Sequence, residues 1–248
     1  MDIGNIQSLV DKSPVTFTAS KCVLCEQPKC FTLSNGEIHQ PCPDCEKKAI
    51  DKELNKVKDK TFFMSQIDNY CKKYTFADYK LIKFKDPGMI VNQKKMLEKI
   101  HLYLDNFELG KWLVMFGRQG TGKGMIKNLM LKDLGSKGIS FINTDAKTIY
   151  NEWLKANSNL ATESVLDMTK RLTSTDVLVI DELGRHKITE SMKDFLFDIT
   201  NMIYKNNKSL ILITNLTVDK ISTYIDKDRL GENTQWIPFY WESYRPTK

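Results

Sequence analysis

The sequence predicts an α/β protein, with a parallel sheet held between helices and a small metal-folded module in front of it. Three observations carry this reading. Apolar runs at 112–116, 139–143, 177–180 and 210–213 alternate with helical patterns. A glycine-rich turn joins the first run to a helix, and two pairs of cysteines stand near the N-terminus. Strands that alternate with helices call for a parallel sheet, because each crossover packs back onto the sheet its strand belongs to.

The chain has 248 residues, enough for one good core and a small appended module. With 41% hydrophobic and 27% charged residues it falls outside the disordered and membrane classes. No apolar run reaches the length of a membrane span, and the opening residues lack a charged-then-apolar signal pattern, so no membrane association and a cytoplasmic address are expected. A net charge of +6 permits an anionic partner without demanding one.

Residues 1–75 form the expected front module. Cys22 and Cys25 make one C-x-x-C knuckle, Cys42 and Cys45 a second, with sixteen residues between the pairs. In a cytosolic chain this clustering favours metal over disulfides, and the spacing suits a tetrahedral Zn²⁺ gripped by two thiolates from each knuckle. So small a unit has too little core to stand alone, so the metal would supply its folding energy. The stretch between the knuckles, with Pro28 and Gly36, suits a short hairpin or loop. Cys30 and His39 read as bystanders, and isolated Cys71 as a buried apolar residue. Beyond the second knuckle, 46–60 is lysine-rich with Ile50, Leu54 and Val57 at helical spacing. A second helical stripe, Phe63, Ile67, Tyr70, Cys71 and Tyr74, would dock either on the following domain or on a partner helix.

Residues 76–248 form the second domain. A helical pattern over 91–107 (Met96, Ile100, Tyr103, Leu104) leads to the run WLVMFGRQGTGKG from Trp112 to Gly124. Strand, glycine-rich turn and helix start follow one another, the order of a phosphate-cradling loop. Gly117, Gln119, Gly120, Thr121, Gly122, Lys123, Gly124 and Met125 are the candidate nucleotide-binding residues. The glycines let the backbone curl its N–H groups inward, and Lys123 adds a mobile charge for the β- and γ-phosphates. Gly124 stands where a Ser or Thr hydroxyl normally holds Mg²⁺. A helix through Met125, Ile126, Leu129 and Leu131 ends at Gly135. After the run at 139–143, Thr144 and Asp145 are good caps for a helix carrying Ile149, Tyr150, Trp153 and Leu154.

The run at 177–180 reads as a central strand buried on both faces. Asp181 and Glu182 close it, at the end where open α/β sheets bind ligands. Asp181 is placed to hold Mg²⁺ through water, and Glu182 to polarise the attacking water. The run at 210–213 ends in Asn215, which would orient water or cap the next helix. Arg229 and Arg245 are candidates for an arginine supplied to a neighbour's nucleotide. Single-stranded DNA needs basic groups and aromatic platforms, and Lys147, Tyr150, Trp153 and Lys155 offer both, although the aromatic pair would serve equally as core.

Several segments together resemble the bacterial helicase loaders of the DnaC/DnaI type. They are FADY (76–79), GRQGTGK (117–123), IDELG (180–184), ITN (213–215), RLG (229–231) and WIPFYWESYR (236–245). Transposition helper ATPases of the IstB type are close relatives. The likeness covers about 76–248, and the aromatic run ending in Ser243, Tyr244 and Arg245 is its most specific part.

This resemblance implies a P-loop AAA+ ATPase core that assembles with its own copies into an open spiral, with ATP and Mg²⁺ between neighbours. By motif position Asn215 resembles the first sensor, Arg229 the finger that reaches the adjacent subunit, and Arg245 the second sensor. The front module would grip the replicative hexameric helicase and the core would bind single-stranded DNA, with slow ATP hydrolysis as the switch. Other readings are a transposition helper, a non-hydrolysing nucleotide-dependent adaptor and, least supported, a small-molecule kinase.

Overall fold

The computed structural model describes residues 62–79, 87–158, 162–186, 188–231 and 233–244, together with the backbone of 20–21, 28–33 and 36–38. The chain divides into two compact units, Met1–Lys58 and Asp59–Lys248. In the first unit, strands β1 (Ser20–Lys21), β2 (Pro28–Leu33) and β3 (Gly36–Ile38) form an antiparallel sheet in that order. Leu33 pairs with Gly36, so β2 and β3 make the hairpin expected between the knuckles. Cys22, Cys25, Cys42, Cys45, the side chain of Cys30, His39 and the helical pattern over 46–60 lie outside the described residues.

The second unit is built on a five-stranded sheet: β4 (Trp112–Gly117), β5 (Phe141–Asp145), β6 (Val177–Leu183), β7 (Ser209–Thr214) and β8 (Thr234–Phe239). Its order is β5-β6-β7-β4-β8, and every neighbouring pair is parallel. Among the described residues, helices α1 (Pro87–Asp105), α2 (Lys123–Ser136), α3 (Ala146–Ala156), α4 (Val165–Leu172), α5 (Glu190–Lys205) and the short α6 (Val218–Ile221) connect and cover it. None of the described helices is long and apolar enough to cross a membrane.

The central strands carry unbroken apolar runs (112–116, 177–180 and 210–213) because both faces are covered there, and their side chains sort by the two-residue period of a strand. Leu113, Met115, Val177, Val179, Ile211 and Ile213 point to one core, beneath α1 and α2. Trp112, Val114, Leu178, Ile180, Leu210 and Leu212 point to the other, beneath α3, α4 and α5. β8 carries Pro238, which has no ladder donor to offer, and it sits at the sheet edge where that lack is tolerated.

The boundary between the units falls at Lys58 and Asp59, earlier than the 75 expected from sequence. The reason is packing. Ile67 and Cys71 are buried in the core beneath α2, with Phe63 and Tyr74 packed against it. Gln66 also answers the edge-strand problem of β5. Its Nε2 donates to the Phe141 carbonyl (3.0 Å), and its Oε1 accepts the Asn143 N–H (2.8 Å). The amide occupies hydrogen-bonding groups that an unpaired edge would offer to another strand. Lys132 Nζ donates to the carbonyls of Lys72 and Tyr74, so this segment is also tied to α2. Of the two dockings open for the stripe, it takes the one on its own domain.

Candidate functional site

Strands β4, β6 and β7 end on one side of the sheet, where Asp181 and Glu182 of β6 and Ile213 and Thr214 of β7 line a cleft of about 340 Å³. Gln119 through Met125 all line it, while Gly117 closes β4 behind it. The loop needs glycine for two separate reasons at Gly120. Its φ is +78°, a region that side chains strain to enter, and a Cβ there would lie 2.1 Å from Ser243 Oγ. The same crowding holds at Gly117, where a Cβ would meet the Phe239 carbonyl oxygen at 2.3 Å.

The crowding partner is the segment after β8. Arg118 N–H donates to the Phe239 carbonyl (3.1 Å), Tyr244 N–H to the Gly120 carbonyl (2.8 Å), and the Trp241 indole N–H to the Thr121 carbonyl (3.0 Å). These bonds fix the loop's outer face and leave the first N–H groups of α2, which have no intrahelical partner, at the cleft. Lys123 Nζ donates to the carbonyls of Gly117 (2.8 Å) and Arg118 (2.7 Å). Burial lowers its pKa to about 8, against the opposing pull of Asp181. A helix N-terminus, inward N–H groups and a poised ammonium fit the phosphates of a nucleotide.

Asp181 and Glu182 stand at an irregularity in β6. Ile180 pairs with Leu212 and Leu183 with Thr214, so β6 holds one residue more than β7 over this stretch. Glu182 absorbs the extra residue with φ +55°, rare outside glycine and costing about 1–2 kcal/mol. Bulges re-aim side chains at the ends of strands, and here both carboxylates line the cleft.

Each carboxylate already has a cation. Asp181 Oδ2 takes a 2.8 Å ion pair from Lys127, whose side chain is only 8% exposed, and Asp181 Oδ1 accepts the Glu182 N–H at 2.7 Å. Glu182 pairs with Arg185, three residues on, and Arg185 N–H returns to the Glu182 carbonyl. Gly124 is open: a Cβ there would meet nothing within 4 Å, and its carbonyl accepts from Asn128, which also donates to Asp68. As folded, these residues do not fit a hydrated Mg²⁺ as they fit phosphates. No hydroxyl stands at 124, and the Asp181 oxygens are engaged.

The remaining candidates divide. Asn215 lines the cleft, and the N-cap of α6 is Thr217 instead. Arg229 lies outside the cleft lining, with its guanidinium 4.2 Å over the Tyr204 ring and Nε donating to Asn201 at 3.3 Å. Arg245 lies outside the described residues. Asp145 caps α3 by accepting from Thr148 N–H, and Lys147 and Lys155 are exposed on that helix. Tyr150 and Trp153 stack on each other and pack half-buried against the second core, with Trp153 against Phe195.

Sequence reasoning gave no role to Tyr79, Tyr244 or Gln93. The two phenols share a 2.8 Å hydrogen bond in the cleft wall, and the fully buried Gln93 amide donates to the Tyr244 hydroxyl at 2.8 Å. Burial first, and Tyr244 second, push the Tyr79 phenol far above its ordinary range. The available signal was the presence of Tyr79 and Tyr244 in two distant conspicuous segments, FADY and WESYR.

The profile of a family described as "IstB-like ATP binding protein" matches residues 55–234. The replicative helicase loader DnaC of Escherichia coli strain K12 is 26% identical over 161 residues, covering 62% of this chain and 64% of that protein. The replicative helicase loader DnaC of Buchnera aphidicola subsp. Schizaphis graminum is 27% identical over 162 residues, with the same shares of 62% and 64%. The match thus spans slightly under two thirds of these relatives' length. Among solved structures, a DnaC helicase loader superposes with a TM-score of 0.55 at 19% identity, over 69% of this chain and 99% of that one. A DnaI structure superposes with a TM-score of 0.54 at 15% identity, over 74% and 99%. These likenesses show the fold, an α/β core around a five-stranded parallel sheet.

Proposed function

The chain belongs to the IstB-like ATP binding proteins, and on that premise we propose that it is a DNA-replication ATPase that loads a replicative hexameric helicase onto single-stranded DNA. The observation that carries the choice is that the curated relatives sharing this domain are named replicative helicase loaders. ATP binds in the cleft, held by the loop from Gly117 to Gly124 and by Lys123, and its binding is the switch. Glu182 is the group that polarises water, and Asn215 orients it. With Glu182 paired to Arg185 and no hydroxyl at 124, turnover is slow. Arg229, held over Tyr204 away from its own cleft, suits service to a neighbouring copy's nucleotide in a spiral assembly. Lys147 and Lys155 carry the DNA backbone. The first unit, with Zn²⁺ on Cys22, Cys25, Cys42 and Cys45, grips the helicase.

Native mass spectrometry of the protein mixed with its host's replicative helicase, with and without ATP, tests this. The expected result is several copies on one helicase hexamer. No complex in any nucleotide state would overturn the loader reading. A transposition helper of the IstB type, the alternative that the family match leaves, would then be tested with a transposase as partner.

A further inference from the structure

P-loop sites ordinarily hold Mg²⁺ between a Ser or Thr hydroxyl just after the loop lysine and an aspartate at the end of a neighbouring strand. The metal binds phosphate oxygens there and also screens that aspartate from the nucleotide's negative charge. Here the hydroxyl is missing, and Asp181 has its own cation. Lys127 lies one helical turn beyond Lys123 on α2, so the two ammonium groups rise from the same face. Its Nζ is 2.8 Å from Asp181 Oδ2, and its side chain is almost fully buried. An ammonium this enclosed does not exchange freely with solvent ions, and a salt bridge at such depth is seldom worth its desolvation for stability alone. Asp181, unlike Lys127, lines the cleft, so the neutralised carboxylate is what a bound triphosphate meets.

We propose that Lys127 is the resident cation of this site, neutralising Asp181 within the fold so that ATP binds with little dependence on Mg²⁺. The inference rests on the reading of the cleft as an ATP site and adds its metal requirement. Lys127 acts through Asp181 and is a positioning residue.

The test is a titration of the full-length protein with a fluorescent N-methylanthraniloyl ATP, with unlabelled ATP in competition. It is run in buffer freed of divalent ions by resin, then with Mg²⁺ restored. Chelators are left out so that any zinc in the first unit is undisturbed. The wild-type Kd should change by less than threefold between the two conditions. A Lys127→Met variant should bind at least tenfold more weakly without Mg²⁺ and recover most of that loss when Mg²⁺ is added. A defect of folding alone would weaken both conditions equally. Wild-type binding that falls tenfold or more without Mg²⁺ overturns the proposal while leaving the ATP site intact. A Lys127→Met variant as indifferent to Mg²⁺ as the wild type overturns it too. No binding in either condition overturns the ATP reading itself.

Discussion

Replacing Gly124 by Ser separates two roles of one position. Gly124 is the second residue of α2 and has no positive φ, and a Cβ there would meet no atom within 4 Å, so serine enters without displacing anything. Glycine costs a helix roughly 0.5 kcal/mol more than serine does, which in a domain of this size raises Tm by about 1–2 °C without nucleotide. The hydroxyl also supplies a hard oxygen, the kind of ligand Mg²⁺ takes. A tenfold gain in affinity corresponds to about 1.4 kcal/mol. Lys127 still holds Asp181 in this variant, so the gain in Mg·ATP affinity should reach only about threefold to tenfold, with faster hydrolysis. In the Gly124→Ser, Lys127→Met double variant the Mg²⁺ dependence should exceed the product of the single effects, since the residues share one partner site. Calorimetric Tm, nucleotide titration with and without Mg²⁺, and phosphate release measure the three quantities. If Gly124→Ser binds Mg·ATP no better and hydrolyses it no faster, the account of this position is wrong.

Gly120→Ala should abolish tight ATP binding and lower Tm by several degrees, because the αL strain of about 1 kcal/mol is joined by a collision with Ser243. Gly138→Ala is its control: φ is +80° but the space is open, so it should show the strain and no effect on ATP. Equal loss of ATP binding in both would sink the argument from crowding. Because burial holds the Lys123 pKa near 8, below its ordinary 10.5, the folded protein loses this proton before the unfolded chain does. Stability from this group therefore rises with pH between about 8 and 10.5, whereas ATP affinity, which needs the ammonium, should be flat below pH 8 and fall toward tenfold per unit above it. An affinity unchanged to pH 9.5 would contradict the role given to Lys123. Changing Lys147 and Lys155 together to Ala should weaken single-stranded DNA binding and reduce its salt slope by roughly 1.4, two phosphates at about 0.7 each. An unchanged slope would move the DNA path elsewhere.

How much of this was legible depends on how far a signal had to travel along the chain. β4, β6 and β7 were plain because buried parallel strands are apolar without interruption, and the loop was plain because its glycines are local. The caps of α3 were equally local, with Asp145 accepting from Thr148 three residues on. β8 was opaque as a strand. Its polar Thr234 and Gln235 and its Pro238 describe an edge, and only the parallel pairing with β4 makes it one. The docking of 62–79 was opaque for a similar reason. Gln66 reads as a surface residue until the β5 edge, 77 residues away, presents it with Asn143.

The site shows the same division more sharply. Asp181 and Glu182 were visible as types at a strand end, but the bulge that aims them needs the register of β7, which no local pattern encodes. Lys127 reads as one of many lysines on a helix, since its partner lies 54 residues away. Yet Gly124 and Lys127 are three apart on α2 and therefore neighbours on one face. Loss of the hydroxyl alone would leave Asp181 as an unscreened carboxylate opposite a triphosphate, with the metal poorly held. An ammonium one turn along removes that repulsion and also occupies the oxygen the metal would use. On the function and the resident cation proposed above, the two departures favour the same outcome, a site that binds nucleotide through its own charges and turns it over slowly. That is the behaviour a binding switch needs, because a state meant to hold a partner must outlast the time it takes to find one.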